Sequence, residues 1–147
     1  VNRVVAGISG PTLAVHVCRG NWSQKEDILL HGAYDPLIPY FRRMQVHQLV
    51  LEYATERAGS PEPLRGLPPT VQIGLGAVNP RVPDVESLDA IAARVRAVAA
   101  LLGPDRIFLN PDCGFGTFAE RPVATAPVAF EKLRALALTA AQLRAET

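Results

Sequence analysis

His16 and Cys18 stand two residues apart in the apolar run TLAVHVC, and Cys113 follows another such run in LNPDCGFG. Side chains alternate faces along a strand with period two, so a strand here points the imidazole and the Cys18 thiol the same way. One histidine and two cysteines from nonadjacent strands offer borderline and soft donors, which suit zinc far better than magnesium or calcium. Singly, each is as consistent with packing, since a cysteine commonly serves as a small buried apolar residue. Glu52 ends a third run, QLVLEY, where an unpaired carboxylate in a dry interior is costly. A zinc ion would satisfy it, and so would a salt bridge to an arginine such as Arg57. Asp112, beside Cys113, is placed either to hydrogen-bond His16 and fix its tautomer or to cap the turn that follows.

These side chains need elements to hold them. Thr12 to Cys18, Gln48 to Tyr53, Val71 to Leu75 and Arg106 to Asn110 read as buried parallel strands. Between them the spacing predicts helices over Ile38 to Met44 and Ser87 to Leu102, the second with Ser87 as N-cap and Gly103 and Pro104 as its stop. A last helix, from about Pro127 to Ala145, is expected to turn Phe130, Leu133, Leu136, Leu138 and Leu143 to one apolar face. Strand followed by helix, four times over with no hairpin signal, is α/β with right-handed crossovers. A complete eightfold barrel takes about 250 residues. The 147 residues are therefore expected to be a single domain of four parallel β/α units, the C-terminal half of a (β/α)8 TIM-type barrel. A small open sheet is the alternative. The chain opens on Val1 without a methionine, as though joining an element under way, so a fragment that needs an N-terminal barrel half or a second chain is expected.

Composition closes other routes. With 48% apolar residues, 20% charged ones and a net charge of +1 without a basic run, the chain is expected to be globular and to bind neither nucleic acid nor an anionic membrane. No apolar run approaches the roughly 20 residues of a membrane span, which leaves small molecules as the expected partners. No signal-like segment precedes the first strand, so a cytoplasmic chain is expected, with its two cysteines as ligands or buried thiols and not a disulfide.

The HVC of His16 to Cys18, the strand-ending Glu52 and the NPDCG of Asn110 to Gly114 resemble the cobalamin-independent methionine synthases, in the same strand order along essentially the whole chain. The resemblance implies a (β/α)8 barrel with catalytic zinc on His16, Cys18, Glu52 and Cys113, and Glu52 yielding its place to a substrate thiol. It further implies methyl transfer from a 5-methyltetrahydrofolate-type donor to homocysteine, the zinc holding the thiol as the attacking thiolate. That family carries an aspartate and a proton-donating histidine after the third strand. Here the stretch reads GLGAVNPRVPDVESLD, with Asn79 and Arg81 nearest, and an arginine stays protonated. A second branch, the epoxyalkane:coenzyme M transferases, is similar through the same His-x-Cys and later Cys, and there Arg81 or Arg19 would hold a sulfonate. Two readings outside this chemistry are a zinc that only staples the half-barrel and a metal-free barrel similar to the uroporphyrinogen decarboxylases. Trp22 and Tyr34 are expected in a long loop over the site, Phe41 under a helix, Phe115 and Phe118 at a pocket or on the core, and His31 and His47 at the surface.

Overall fold

A computed structural model of the chain describes residues 1–146. The apolar runs form strands β1 (Ala14–Val17), β2 (Gln48–Glu52), β3 (Gln72–Val78) and β4 (Ile107–Pro111), all parallel and in the order β1-β2-β3-β4. His16 pairs with Val50, Val50 with Gly74 and Gly74 with Phe108, and this register decides which side chains share a face. On one face Val17, Leu49, Leu51, Ile73, Leu75 and Leu109 join the core. The opposite face carries Ala14, His16, Val50, Gly74 and Phe108, as alternation along each strand requires. It is open enough to leave Phe108 47% exposed.

Two single-turn helices, α1 (Asn2–Val5) and α2 (Ile38–Phe41), precede two long ones, α3 (Leu88–Leu102) and α4 (Ala126–Ala145). The helix expected to reach Met44 stops at Phe41, because the next amides bond three residues back: Arg43 N–H to the Tyr40 carbonyl and Met44 N–H to that of Phe41. The crossover from β2 to β3 contains only the 3-10 turns Glu56–Ala58 and Glu62–Gly66. Pro61, Pro63, Pro68 and Pro69 lie in that segment and remove the amide donors an α-helix would use.

The long helices cover the core face. Ser87 caps α3 by accepting the Ala90 N–H at 3.2 Å, and Ile91, Val95 and Val98 are buried. The expected apolar face of α4 is only partly a core face: Leu136 is buried, but Phe130 is 65% exposed, Leu133 49% and Leu138 47%. The helix instead turns Lys132, Ala135, Leu136 and Thr139 inward. Lys132 sets that rotation, since its ammonium reaches Glu86 Oε2 at 2.8 Å and the Asp84 carbonyl, both in the loop after β3. Among the described residues no helix is long and apolar enough to cross a membrane.

Candidate metal centre

β1 presents His16, Cys18 follows at its carboxyl end, and Cys113 lies two residues beyond β4. Although two strands separate them, His16 Nε2 and Cys18 Sγ each lie 3.4 Å from Cys113 Sγ, and one ligand atom from each of the three residues falls within 4.8 Å of the others. The loops after β1 and β4 close this distance. Asn21 donates from Nδ2 to the Gly114 carbonyl at 2.7 Å and to Thr117 Oγ1 at 3.0 Å. Glycines in β3 leave room: a Cβ at Gly74 would sit 2.7 Å from Asn110 Oδ1, and one at Gly76 2.3 Å from Asp112 Oδ1.

Two of the donors, His16 and Cys18, are oriented by the backbone. His16 Nδ1 lies 3.1 Å from the Val50 carbonyl, which can only accept, so Nδ1 carries the proton and the Nε2 lone pair faces the cysteines. Cys18 Sγ accepts the Gly20 N–H at 3.1 Å. Gly20 must be glycine on two counts, a φ of +105° and the Trp22 ring, which a Cβ would approach to 2.3 Å. Burial pushes the Cys18 thiol up, the Gly20 N–H pulls it down, and Cys113 and Glu52 push it further up. Cys18 and Cys113 are both free thiols.

Glu52 lies beside this cluster. Only 2% exposed, it places Oε1 3.8 Å from Cys18 Sγ while Oε2 accepts the Arg19 N–H at 3.0 Å. Three guanidinium groups surround the same carboxylate: Arg81 Nη1 at 3.7 Å, Arg57 Nη2 at 3.8 Å and Arg19 Nη1 at 4.0 Å. Asp112 does not serve His16, whose ring is already held by Val50. Its Oδ1 accepts the N–H groups of Tyr53 and Ala54 at 2.9 and 2.8 Å, and its Oδ2 takes Arg81 Nη2 at 3.2 Å. Asp112 thus fastens the exit of β4 to that of β2. Burial raises its carboxyl to about 6 against the pull of the Ala54 N–H and the Arg81 charge.

The family model described as the catalytic domain of cobalamin-independent synthase matches residues 8–139. The chain belongs to the cobalamin-independent synthase family. It is 32% identical over 114 residues to a methionine synthase of Pyrococcus furiosus, covering 78% of this chain and 30% of that protein. It is 30% identical to a methionine synthase of Thermococcus kodakarensis, over 90% of this chain and 34% of that one. The chain therefore spans about a third of the length of these curated relatives. A solved B12-independent methionine synthase from Shewanella sp. W3-18-1, in complex with selenomethionine, superposes with a TM-score of 0.79 at 20% identity, over 99% of this chain and 42% of that one. That likeness identifies the fold as part of a (β/α)8 barrel.

The donor set fits the zinc that the resemblance implies. Zinc–sulfur bonds of about 2.3 Å put tetrahedral neighbours roughly 3.5 to 3.8 Å apart, and the two spacings of 3.4 Å to Cys113 Sγ need only a slight opening. The two arginines considered for a sulfonate both hold contacts within the chain. Arg81, 1% exposed, donates to Glu26 Oε1 at 3.1 Å, to Asn21 Oδ1 at 3.4 Å and to Asp112. Arg19 lies 3.7 Å over the Tyr34 ring and donates Nε to the Gly32 carbonyl at 2.9 Å. Asn79 is likewise engaged, with Glu26 and Glu86. Tyr34 is fully buried, its hydroxyl accepting the Glu52 N–H at 3.0 Å and donating to the Val17 carbonyl, and burial pushes that phenol up to about 12. Trp22 packs over Gly20, whereas Phe118 faces solvent beside Arg121.

Proposed function

We propose that the chain supplies the metal centre of a zinc-dependent thiol methyltransferase that moves a methyl group from a 5-methyltetrahydrofolate-type donor to homocysteine, giving methionine. The convergence of His16, Cys18 and Cys113 at the carboxyl end of the sheet carries this reading, because parallel α/β folds gather their reacting groups there. Glu52 is assigned as the fourth ligand at rest. When bound there, zinc lowers the pKa of a substrate thiol and keeps it as the thiolate that attacks a methyl carbon. The chain's own residues prepare that step. The Val50 carbonyl keeps His16 in the tautomer with Nε2 free, the Gly20 N–H steadies charge on Cys18, and Glu52 makes way for the incoming sulfur. The methyl donor is assigned to the complementary part of the barrel, and reducing cytoplasm is the setting that keeps both thiols free.

Metal analysis and X-ray absorption test this together. About one zinc per chain is expected, with one light-atom ligand replaced by sulfur when homocysteine is added. Exchange with coenzyme M but not with homocysteine would move the site to the epoxide-opening branch. A zinc shell unchanged by either thiol would make the metal a structural staple and end the catalytic reading.

A further inference from the structure

Arg19, Arg57 and Arg81 follow the carboxyl ends of β1, β2 and β3, and the fold brings all three guanidinium groups onto one carboxylate, that of Glu52. Two of them are incompletely used. Arg19 Nη1 and Arg57 Nε and Nη2 are buried nitrogens without a hydrogen-bond partner. Buried donors are rarely left so, because each has given up water without a replacement. Arg19 Nη1 and Arg57 Nη2 both face Glu52 Oε2, at 4.0 and 3.8 Å, which is about 1 Å beyond a charge-assisted hydrogen bond.

The arginines are anchored, and the carboxylate is tied by a hydrogen bond at one oxygen only, Oε2, which accepts the Arg19 N–H at 3.0 Å, so Oε1 is the part able to move. Arg19 is held by the Gly32 carbonyl and the Tyr34 ring, and Arg57 donates Nη1 to the Leu30 carbonyl at 3.2 Å. Glu52 Oε1, by contrast, has only the Cys18 sulfur at 3.8 Å and Arg81 Nη1 at 3.7 Å. A shift of the carboxylate away from Cys18 would turn the long ion pairs to Arg19 Nη1 and Arg57 Nη2 into hydrogen bonds and satisfy those two donors, while Arg57 Nε faces Glu26 Oε2 at 3.6 Å.

We propose that Arg57 and Arg19 form a dock for Glu52 in the state in which substrate sulfur has taken its place on the metal. This rests on the zinc reading above and makes both arginines positioning residues. They stabilise the released carboxylate, and so make the site open to a thiol without losing its metal.

The test compares the wild type with Arg57→Gln and Arg57→Lys, all zinc-loaded, by X-ray absorption during homocysteine titration and by zinc competition with a chelator. Wild type should exchange a light atom for sulfur. Arg57→Gln should need about tenfold more thiol for the same exchange while holding zinc at least as tightly, since Glu52 then has a poorer place to go. Arg57→Lys, which keeps the charge, should recover most of that loss. If Arg57→Gln fails to fold, Arg57→Lys carries the test, with a thiol requirement between wild type and tenfold expected. Exchange in the folded variants at wild-type thiol concentration would overturn the dock and leave the zinc reading standing. Absence of exchange in the wild type would instead remove the zinc reading, and the dock with it.

Discussion

At the scale of single residues, the three converging donors are unequal to Glu52. Cys18 and Cys113 contribute the sulfurs and His16 the one free nitrogen, and each has an orientation fixed by backbone or by its neighbours. Cys18→Ser or Cys113→Ser should therefore lose most of the zinc, measured as metal per chain after gel filtration, because a hydroxyl is a far poorer ligand than a thiolate. Full zinc retention in either variant would remove that residue from the site. Glu52→Gln should behave differently. It leaves His16 and two thiolates in place, so zinc stays largely bound, but it removes the negative charge that the three arginines surround. Uncompensated buried guanidinium groups are costly, on the order of 3–5 kcal/mol when one partner of a buried pair is lost. The variant should consequently show a lowered melting temperature together with lowered turnover. An Asp112→Asn variant should spare zinc as well, because Asp112 ties the strand exits together and leaves the His16 ring to Val50.

At the scale of elements, β3 is the strand the others depend on, since it pairs with both β2 and β4 and carries the glycines over which the site closes. A Cβ at Gly76 would meet the Leu51 carbonyl and the Asp112 Cα at 2.8 Å each, and backbone cannot swing aside as a side chain can. Gly76→Ala should cost about 1–3 kcal/mol in urea denaturation and weaken zinc binding through displaced Cys113. Gly116→Ala, where no atom lies within 4 Å of the added carbon, should stay within about 0.5 kcal/mol of wild type. This contrast also marks what the sequence could reveal. Apolar runs located all four strands and helical spacing both long helices, because those runs and the Ser87 and Gly103 caps are local signals. β3 nevertheless runs to Val78 and not Leu75, since Gly76 looks like a strand breaker until Asp112 is seen filling the space beside it. The face of α4 was hidden for a similar reason, as Lys132 reads as solvent-facing until Glu86 arrives from another loop. The arginine cluster left one usable trace, an arginine shortly after each of three strands, but nothing local says that the three meet on Glu52.

At the scale of the whole molecule, the four-stranded sheet has two open edges among the described residues. Among the described residues β1 pairs only with β2, and β4 only with β3, so each outer strand presents a row of unpaired backbone groups. His16 and Phe108 lie exposed on the face opposite the core, and an apolar groove of about 990 Å³ runs between the β4 edge, α3 and α4, lined by Val95, Ala99, Leu109, Leu133, Ala140 and Leu143. In a barrel these are the surfaces that the next strand and helix would cover, and the match to the Shewanella synthase covers 42% of that longer chain. The 147 residues expressed by themselves should thus self-associate, with broad unfolding and rapid hydrogen exchange at the outer amides of β1 and β4. Supplying a complementary barrel half should convert them into a single species of defined mass by analytical ultracentrifugation, with those same amides protected. The candidate metal site should respond in parallel, because Cys18 and His16 are exposed here and a closed barrel would shield them. Thiol-reactive reagents should modify zinc-free Cys18 quickly in the isolated chain and slowly in the complex. A soluble monomer that unfolds in one cooperative step, with the β4 amides already protected, would show that four strands suffice as an open sheet, and the requirement for a second half would fall.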